Sequence, residues 1–237
     1  MGQVLCKIAS EKFNIACGIA KHIENSMPFP IYDDIYKFNG SADVLIDFSI
    51  ASAVSKIIDY CREKKIPAVI CTTGIDDATQ KKIDEAAKII PIMQSANMSI
   101  GVNVVNCILK KISAALYDMD FDIEIVEKHH NKKVDSPSGT ALLLAKTINN
   151  SLDNKLEYVS DRNHKRQKNE LGISCVRGGT IVGEHSIIFA GANENIEIKH
   201  TAQSREIFAI GALKAAQFIL NKPAGLYSMD DLFADIL

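Results

Sequence analysis

The sequence predicts an α/β protein in two parts: a parallel sheet of βαβ units over the first hundred or so residues, then an α+β segment with its own sheet. Three observations predict it. Short apolar runs alternate with stretches of helical periodicity up to about residue 100. From about residue 121 the strands alternate in polarity and are separated by glycines, which suits antiparallel strands of a half-exposed sheet. A helix at about 204–221, apolar nearly all round, closes the chain and reads as buried.

Taken in order, Val4, Leu5 and Ile8 share one face of a helix over 3–11. Residues 14–20 (NIACGIA) read as a short buried strand and 44–48 (VLIDF) as another. Ser49 is placed to cap a helix whose apolar face is Val54, Ile57, Ile58 and Cys61. A strand at 68–71 (AVIC) runs into Thr72, Thr73 and Gly74, a helix runs through 81–87, and a strand lies near 90–94. In parallel sheets ligands bind beyond the carboxyl ends of the strands, so the loops at 72–74 and 95–99 are the first candidates for a site. A helix at about 101–117 precedes a strand at 121–128, with Phe121, Ile123 and Ile125 on one face. A helix at about 138–150 and strands at 173–177, 186–189 and 195–200 complete the second part. The expected boundaries are 1–100 with 211–237 for one domain and 101–210 for the other.

Composition excludes several classes. Among 237 residues, 47% are hydrophobic and 24% charged, within the globular range. The net charge of -2 gives no general footprint for nucleic acid or an anionic membrane. The six cysteines form no C-x-x-C pair, which argues against a zinc ribbon and for a reducing compartment. With neither a signal-peptide profile nor an evident bilayer-spanning run, the expectation is a cytoplasmic protein without a membrane partner.

The stretch 127–141, EKHHNKKVDSPSGTA, carries the most chemistry. Two histidines and two lysines crowd a loop that enters a helix, with Pro137 expected in its first turn. Gly139 and Thr140 put backbone N–H groups at a helix N-terminus, a ready anion site, and Lys133 adds a full positive charge. A carboxylate-bearing substrate that needs a proton suits this arrangement. On spacing alone the same residues also read as a solvated loop and an ordinary helix start. Metal binding by His129 and His130 is not expected, because neighbours on an extended strand point to opposite faces.

This run resembles the signature of the 4-hydroxy-tetrahydrodipicolinate (dihydrodipicolinate) reductase family, roughly E-x-H-H-x-x-K-x-D-x-P-S-G-T-A, at every fixed position. The resemblance extends to Asp47-Phe48-Ser49, Thr72-Thr73-Gly74, Ala96-Asn97-Met98-Ser99, Arg177-Gly178-Gly179 and Gly183-Glu184-His185. It implies a Rossmann-type, nucleotide-binding parallel-sheet domain and an α+β domain for substrate binding and oligomerisation. It also implies reduction of a cyclic dicarboxylate by NADPH or NADH in lysine biosynthesis, and a homotetramer. By position His129 corresponds to the family's general acid and Lys133 to its catalytic partner. His130, Gly139 and Thr140 correspond to dicarboxylate contacts, and Cys71, Thr72, Thr73, Ala96, Asn97, Met98 and Ser99 to contacts on the nicotinamide side of the cofactor.

Two departures stand out. Met1-Gly2 matches the tail of the family's Gly-rich turn, and the first strand and preceding glycines are absent from the sequence. The expectation is a functional protein that starts upstream, with Met1 at the cofactor. Where NAD enzymes carry an acid after the second strand, this chain has Ala20 and then Lys21, which suits the 2′-phosphate of NADPH. The rival readings are another Rossmann-type amino-acid dehydrogenase, or a non-catalytic dicarboxylate-binding regulator that has lost its nucleotide site.

Overall fold

Periodicity and capping account for most of the elements. The computed structural model describes residues 1–10, 12–21, 27–160 and 162–234; residue 11, His22 and residues 235–237 of the expected elements lie outside the described residues. The chain divides into two compact units, Met1–Ser99 with Glu206–Ile236, and Ile100–Arg205.

The first unit opens with helix α1 (Gly2–Ala9). Strands β1 (Gly18–Ile19) and β2 (Ile31–Tyr32) form a small parallel ladder of their own. The expected strand at 14–20 is therefore only two residues long, and Ile19 is exposed. Strand β3 (Leu45–Asp47), helix α2 (Ala51–Lys64), strand β4 (Ala68–Ile70), helix α3 (Asp77–Ala87) and strand β5 (Pro91–Gln94) follow as βαβ units. Val54, Ile58 and Cys61 of α2 meet Ile70, Ile83 and Ile92 in the core, as their spacing requires. Ser49 does not cap α2: Ile50 occupies the cap position without a side-chain bond, and Ser49 instead gives its N–H to Asp47 Oδ1 at 2.9 Å.

The second unit begins with helix α4 (Ile100–Asp118). By length and composition this 19-residue helix passes the test for a membrane span, contrary to the sequence reading. It buries Val102, Val105, Cys107 and Leu109 and packs on its own unit, as a core helix does. Next come strand β6 (Asp122–His129), helix α5 (Gly139–Asn150), and strands β7 (Glu157–Val159), β8 (Glu170–Arg177), β9 (Gly183–Ala190) and β10 (Asn195–Ala202). The sheet order is β10-β9-β6-β8-β7. It is mixed rather than antiparallel: β8 runs parallel to both β6 and β7, while β9 runs antiparallel to β6 and β10. The long connection from β6 through α5 permits the parallel β6–β8 pair.

The chain re-enters the first unit with helix α6 (Glu206–Ile219) and strand β11 (Gly225–Tyr227), which completes the parallel sheet β11-β5-β4-β3. Helix α6 lies against β3, β4 and β5 and buries Ala209, Gly211, Ala212 and Ala216, but Ile210 on it and Leu220 just after it remain exposed. Apolar residues all round that helix thus did not bury every face.

Candidate active site

Strand β6 builds the site by simple alternation. Its inward face carries Ile123 and Ile125, then Glu127 and His129, so the register that buries two isoleucines also buries a carboxylate and an imidazole. Glu127 is fully buried. A bare carboxylate there would be costly, and the surroundings satisfy it completely. Arg177, aligned with His129 in the β6–β8 register, gives Nη1–H to Oε2 and Nη2–H to Oε1, both at 2.7 Å. Oε1 also accepts the Ser138 N–H at 3.0 Å, and Oε2 lies 2.6 Å from His129 Nδ1. Burial alone would raise the Glu127 pKa; hydrogen bonds from Arg177, His129, Cys175 and Ser138 outweigh it and hold it at about 2.

One carboxylate therefore joins His129 to the start of α5. Ser138 is the N-cap, its Oγ accepting the Ala141 N–H at 3.1 Å. Pro137 stands outside the helix, not in its first turn, which begins at Gly139. Gly139 is exposed, with nothing within 4 Å of where a Cβ would stand, and Thr140 is half-buried beside it. Between β6 and α5 the chain turns through His130, whose carbonyl accepts the Lys133 N–H at 3.1 Å. Lys133 Nζ pairs with Asp135 at 2.8 Å, and Arg177 Nη2 bonds the Asp135 carbonyl at 2.8 Å, pinning the loop to β8. That ion pair with Lys133, against the opposing effect of burial, holds the Asp135 carboxyl below its usual range. The His130 Nδ1 is buried with no hydrogen-bond partner among the described residues.

His185, on β9 opposite Glu127, completes the cluster. Its ring meets His129 edge to face with centroids 5.2 Å apart, and its Nε2 lies 3.0 Å from Ser138 Oγ. Burial lowers the His185 pKa to about 4; the charges of His129, His200 and Lys133 add to that effect and Glu127 opposes it. His200 pairs with His185 across β9 and β10, and burial lowers its pKa too. The result is a largely buried cluster of Glu127, His129, Ser138, Arg177 and His185 at the N-terminus of α5, with the His129 ring anchored from behind at Nδ1.

The first unit gathers its candidates at the carboxyl ends of β3, β4 and β5. Thr72 gives its hydroxyl to the buried Asp47 at 2.6 Å, the Cys71 N–H goes to the Asp47 carbonyl, and the Ser95 N–H goes to the Ile70 carbonyl. The Ser99 N–H bonds Asn97 Oδ1 at 2.9 Å, while Ala96 and Thr73 are exposed. Gly74 adopts φ 73°, and a Cβ there would meet nothing within 4 Å, leaving the loop rim open. Cys71 and Met98 are buried, which leaves their backbone rather than their side chains available at the rim; burial also raises the Cys71 thiol pKa. Met1 occupies the N-cap position of α1, and Lys21 is exposed just after β1. The separate β1–β2 ladder gives Lys21 no register with the loops after β4 and β5.

The sequence reading missed Glu127, Arg177, His185 and Asp47 as site residues. All four stand in runs that it quoted, and Glu127 lies on the apolar face of a well-patterned strand, a signal that was available. No cluster of three or more metal-ligating side chains occurs among the described residues.

Known families match the chain in two parts that meet near residue 100, the second part including α6 and β11 of the first unit. Residues 1–98 match the family described as dihydrodipicolinate reductase, N-terminus, and residues 101–233 match the one described as dihydrodipicolinate reductase, C-terminus. The 4-hydroxy-tetrahydrodipicolinate reductase of Clostridium tetani is 54% identical over 235 residues, 97% of this chain and 91% of that protein. The enzyme of the same name from Caldanaerobacter subterraneus is 50% identical over 239 residues, 98% and 93% of the two chains. Among solved structures, the dipicolinate-bound dihydrodipicolinate reductase of Paenisporosarcina superposes with TM-score 0.80 at 20% identity, covering 100% of this chain and 95% of that one, a likeness of fold.

Proposed function

The chain belongs to the dihydrodipicolinate reductase family, and from that premise we propose how its residues reduce 4-hydroxy-tetrahydrodipicolinate to tetrahydrodipicolinate. The overall change consumes one reduced nicotinamide and one proton and releases water. When bound, the reduced nicotinamide supplies the hydride; the rim of Cys71, Thr72, Thr73, Ala96, Asn97, Met98 and Ser99 holds that end of it, with Met1 further along. Lys21 suits a 2′-phosphate, so NADPH serves at least as well as NADH. The first unit is thereby the dinucleotide domain and the second the substrate domain.

In the second unit, Lys133 and the N–H groups of Gly139 and Thr140 grip a ring carboxylate. His130 offers a further donor. Lys133 turns from the exposed Asp135 to the incoming anion, so no buried charge is left unpaired. The hydroxyl group leaves as water together with a proton from the neighbouring ring carbon; hydride is then received where the hydroxyl stood, and His129 gives a proton to the carbon beside it. The observation that carries this reading is the Glu127 carboxylate, which ties His129 and the N-terminus of α5 to one point.

Substitution tests it. His129→Ala and Lys133→Ala, assayed with freshly made substrate, are each expected to lose about 10²–10⁴ in kcat/KM, the range for a general acid or a charged transition-state contact. Near-normal rates in both variants would overturn the assignment. The same assay on Lys21→Ala is expected to raise KM for NADPH and leave that for NADH unchanged. The same reading includes a homotetramer, the cytoplasm and lysine biosynthesis; exposed Val176, level with Lys128 in the β6–β8 register, is an apolar residue that such an assembly would cover.

A further inference from the structure

We propose that Glu127, clamped by Arg177, is a positioning residue that fixes the ring of His129 with its proton on Nδ1 and presents Nε2 as the atom that delivers the proton. The inference rests on the reading of His129 as the acid. It begins with valence. Each Glu127 oxygen already takes one Arg177 N–H, and Oε1 also takes the Ser138 N–H. A carboxylate that accepts three such bonds is ionised and has no proton to give, so the 2.6 Å contact with Nδ1 requires Nδ1 to donate. In neutral His129 the lone pair is then on Nε2, and in the protonated ring Nε2–H is the proton free to leave.

The surroundings of Nε2 agree. Gly183 stands beside it, and a Cβ at that position would lie 3.1 Å from Nε2 and 3.4 Å from Cδ2. Glycine there keeps the edge of the ring clear. The ring of His185 backs His129 edge to face, so the imidazole is held by a carboxylate at Nδ1 and a ring at its side, with Nε2 left uncrowded. Because the same carboxylate holds the Ser138 N–H, any shift of His129 is coupled to the helix terminus that grips the substrate.

Glu127→Gln decides the matter, because it keeps the shape and can still accept from Ser138. It turns an NH₂ toward Nδ1, which moves the ring proton of neutral His129 to Nε2. Long-range ¹H–¹⁵N NMR of the ring reads the tautomer directly. The expected result is Nδ1–H in the wild type, Nε2–H in Glu127→Gln, and a fall in kcat of about 10–10³-fold, while the Kd for dipicolinate stays within about three-fold. Glu127→Asp, which restores a carboxylate, is expected to recover the Nδ1–H tautomer and part of kcat. A merely structural role would leave the tautomer unchanged. Wild-type kcat in Glu127→Gln, or an Nε2–H tautomer in the wild-type enzyme, overturns the proposal, and the second measurement needs no variant to fold. If His129→Ala is inactive while Glu127→Gln is fully active, this inference alone fails; if His129→Ala is active, the reading beneath it fails.

Discussion

Glu127 and His185 make the site acid-labile in a calculable direction. The Glu127 pKa is held at about 2, against 4.5 for a free carboxyl. The folded state therefore gains stability above pH 4.5 and loses it as pH falls toward 2. The His185 pKa is lowered to about 4 from 6.5, so the unfolded chain takes up that proton first. Stability should begin to decline below pH 6.5, and at pH 4 this one residue costs on the order of 3 kcal/mol. Urea unfolding at pH 7, 5.5 and 4.5 checks it: the wild type should weaken steadily and His185→Asn less so, whereas identical slopes would remove His185 from the account. Continuing the alternation of Ile123 and Ile125 puts Glu127 and His129 on the buried face, a signal the sequence reading left unused. Their partners were not legible, because Arg177 lies 50 residues from Glu127 and His185 lies 47 from Ser138. Only strand register brings them together.

At the scale of elements, packing against a neighbour decides what periodicity cannot. Helix α6 carries Gly211 in its interior, a residue that weakens a helix by about 1 kcal/mol relative to alanine. A Cβ at Gly211 would overlap the carbonyl oxygen of Met98, in the loop after β5. Gly211→Ala should therefore lower stability by about 1–3 kcal/mol in spite of its better helix propensity. It should also raise KM for the cofactor, since the displaced loop includes Asn97 and Ser99. Urea unfolding with steady-state kinetics reads both effects, and a stabilised variant would contradict the packing argument. The helices were legible because 3.6-residue periodicity and caps are local signals. The strand expected at 14–20 was not, because an apolar run alone does not say whether a partner lies alongside. The direction of β8 was hidden for the same reason: alternation fixes a face and leaves open which neighbour runs parallel.

At the scale of the whole molecule, the proposed reading assigns the two ligands of the reaction to two units of the chain. The first unit is discontinuous, closed by α6 and β11 after the second has been completed. Alternating strands and helices announced its parallel sheet, and the unbroken run from His129 to Thr140 carried the expectation of an anion site. How the sheet of the second unit assembles depends on pairings between distant segments, which no local pattern states. The central claim is that the loop after β6 and the first turn of α5 grip the dicarboxylate. Hydrogen exchange of the full chain with and without dipicolinate tests it most directly. The account predicts slowed exchange at residues 129–141, lost in Lys133→Ala; protection confined to other segments, or undiminished in that variant, would contradict it.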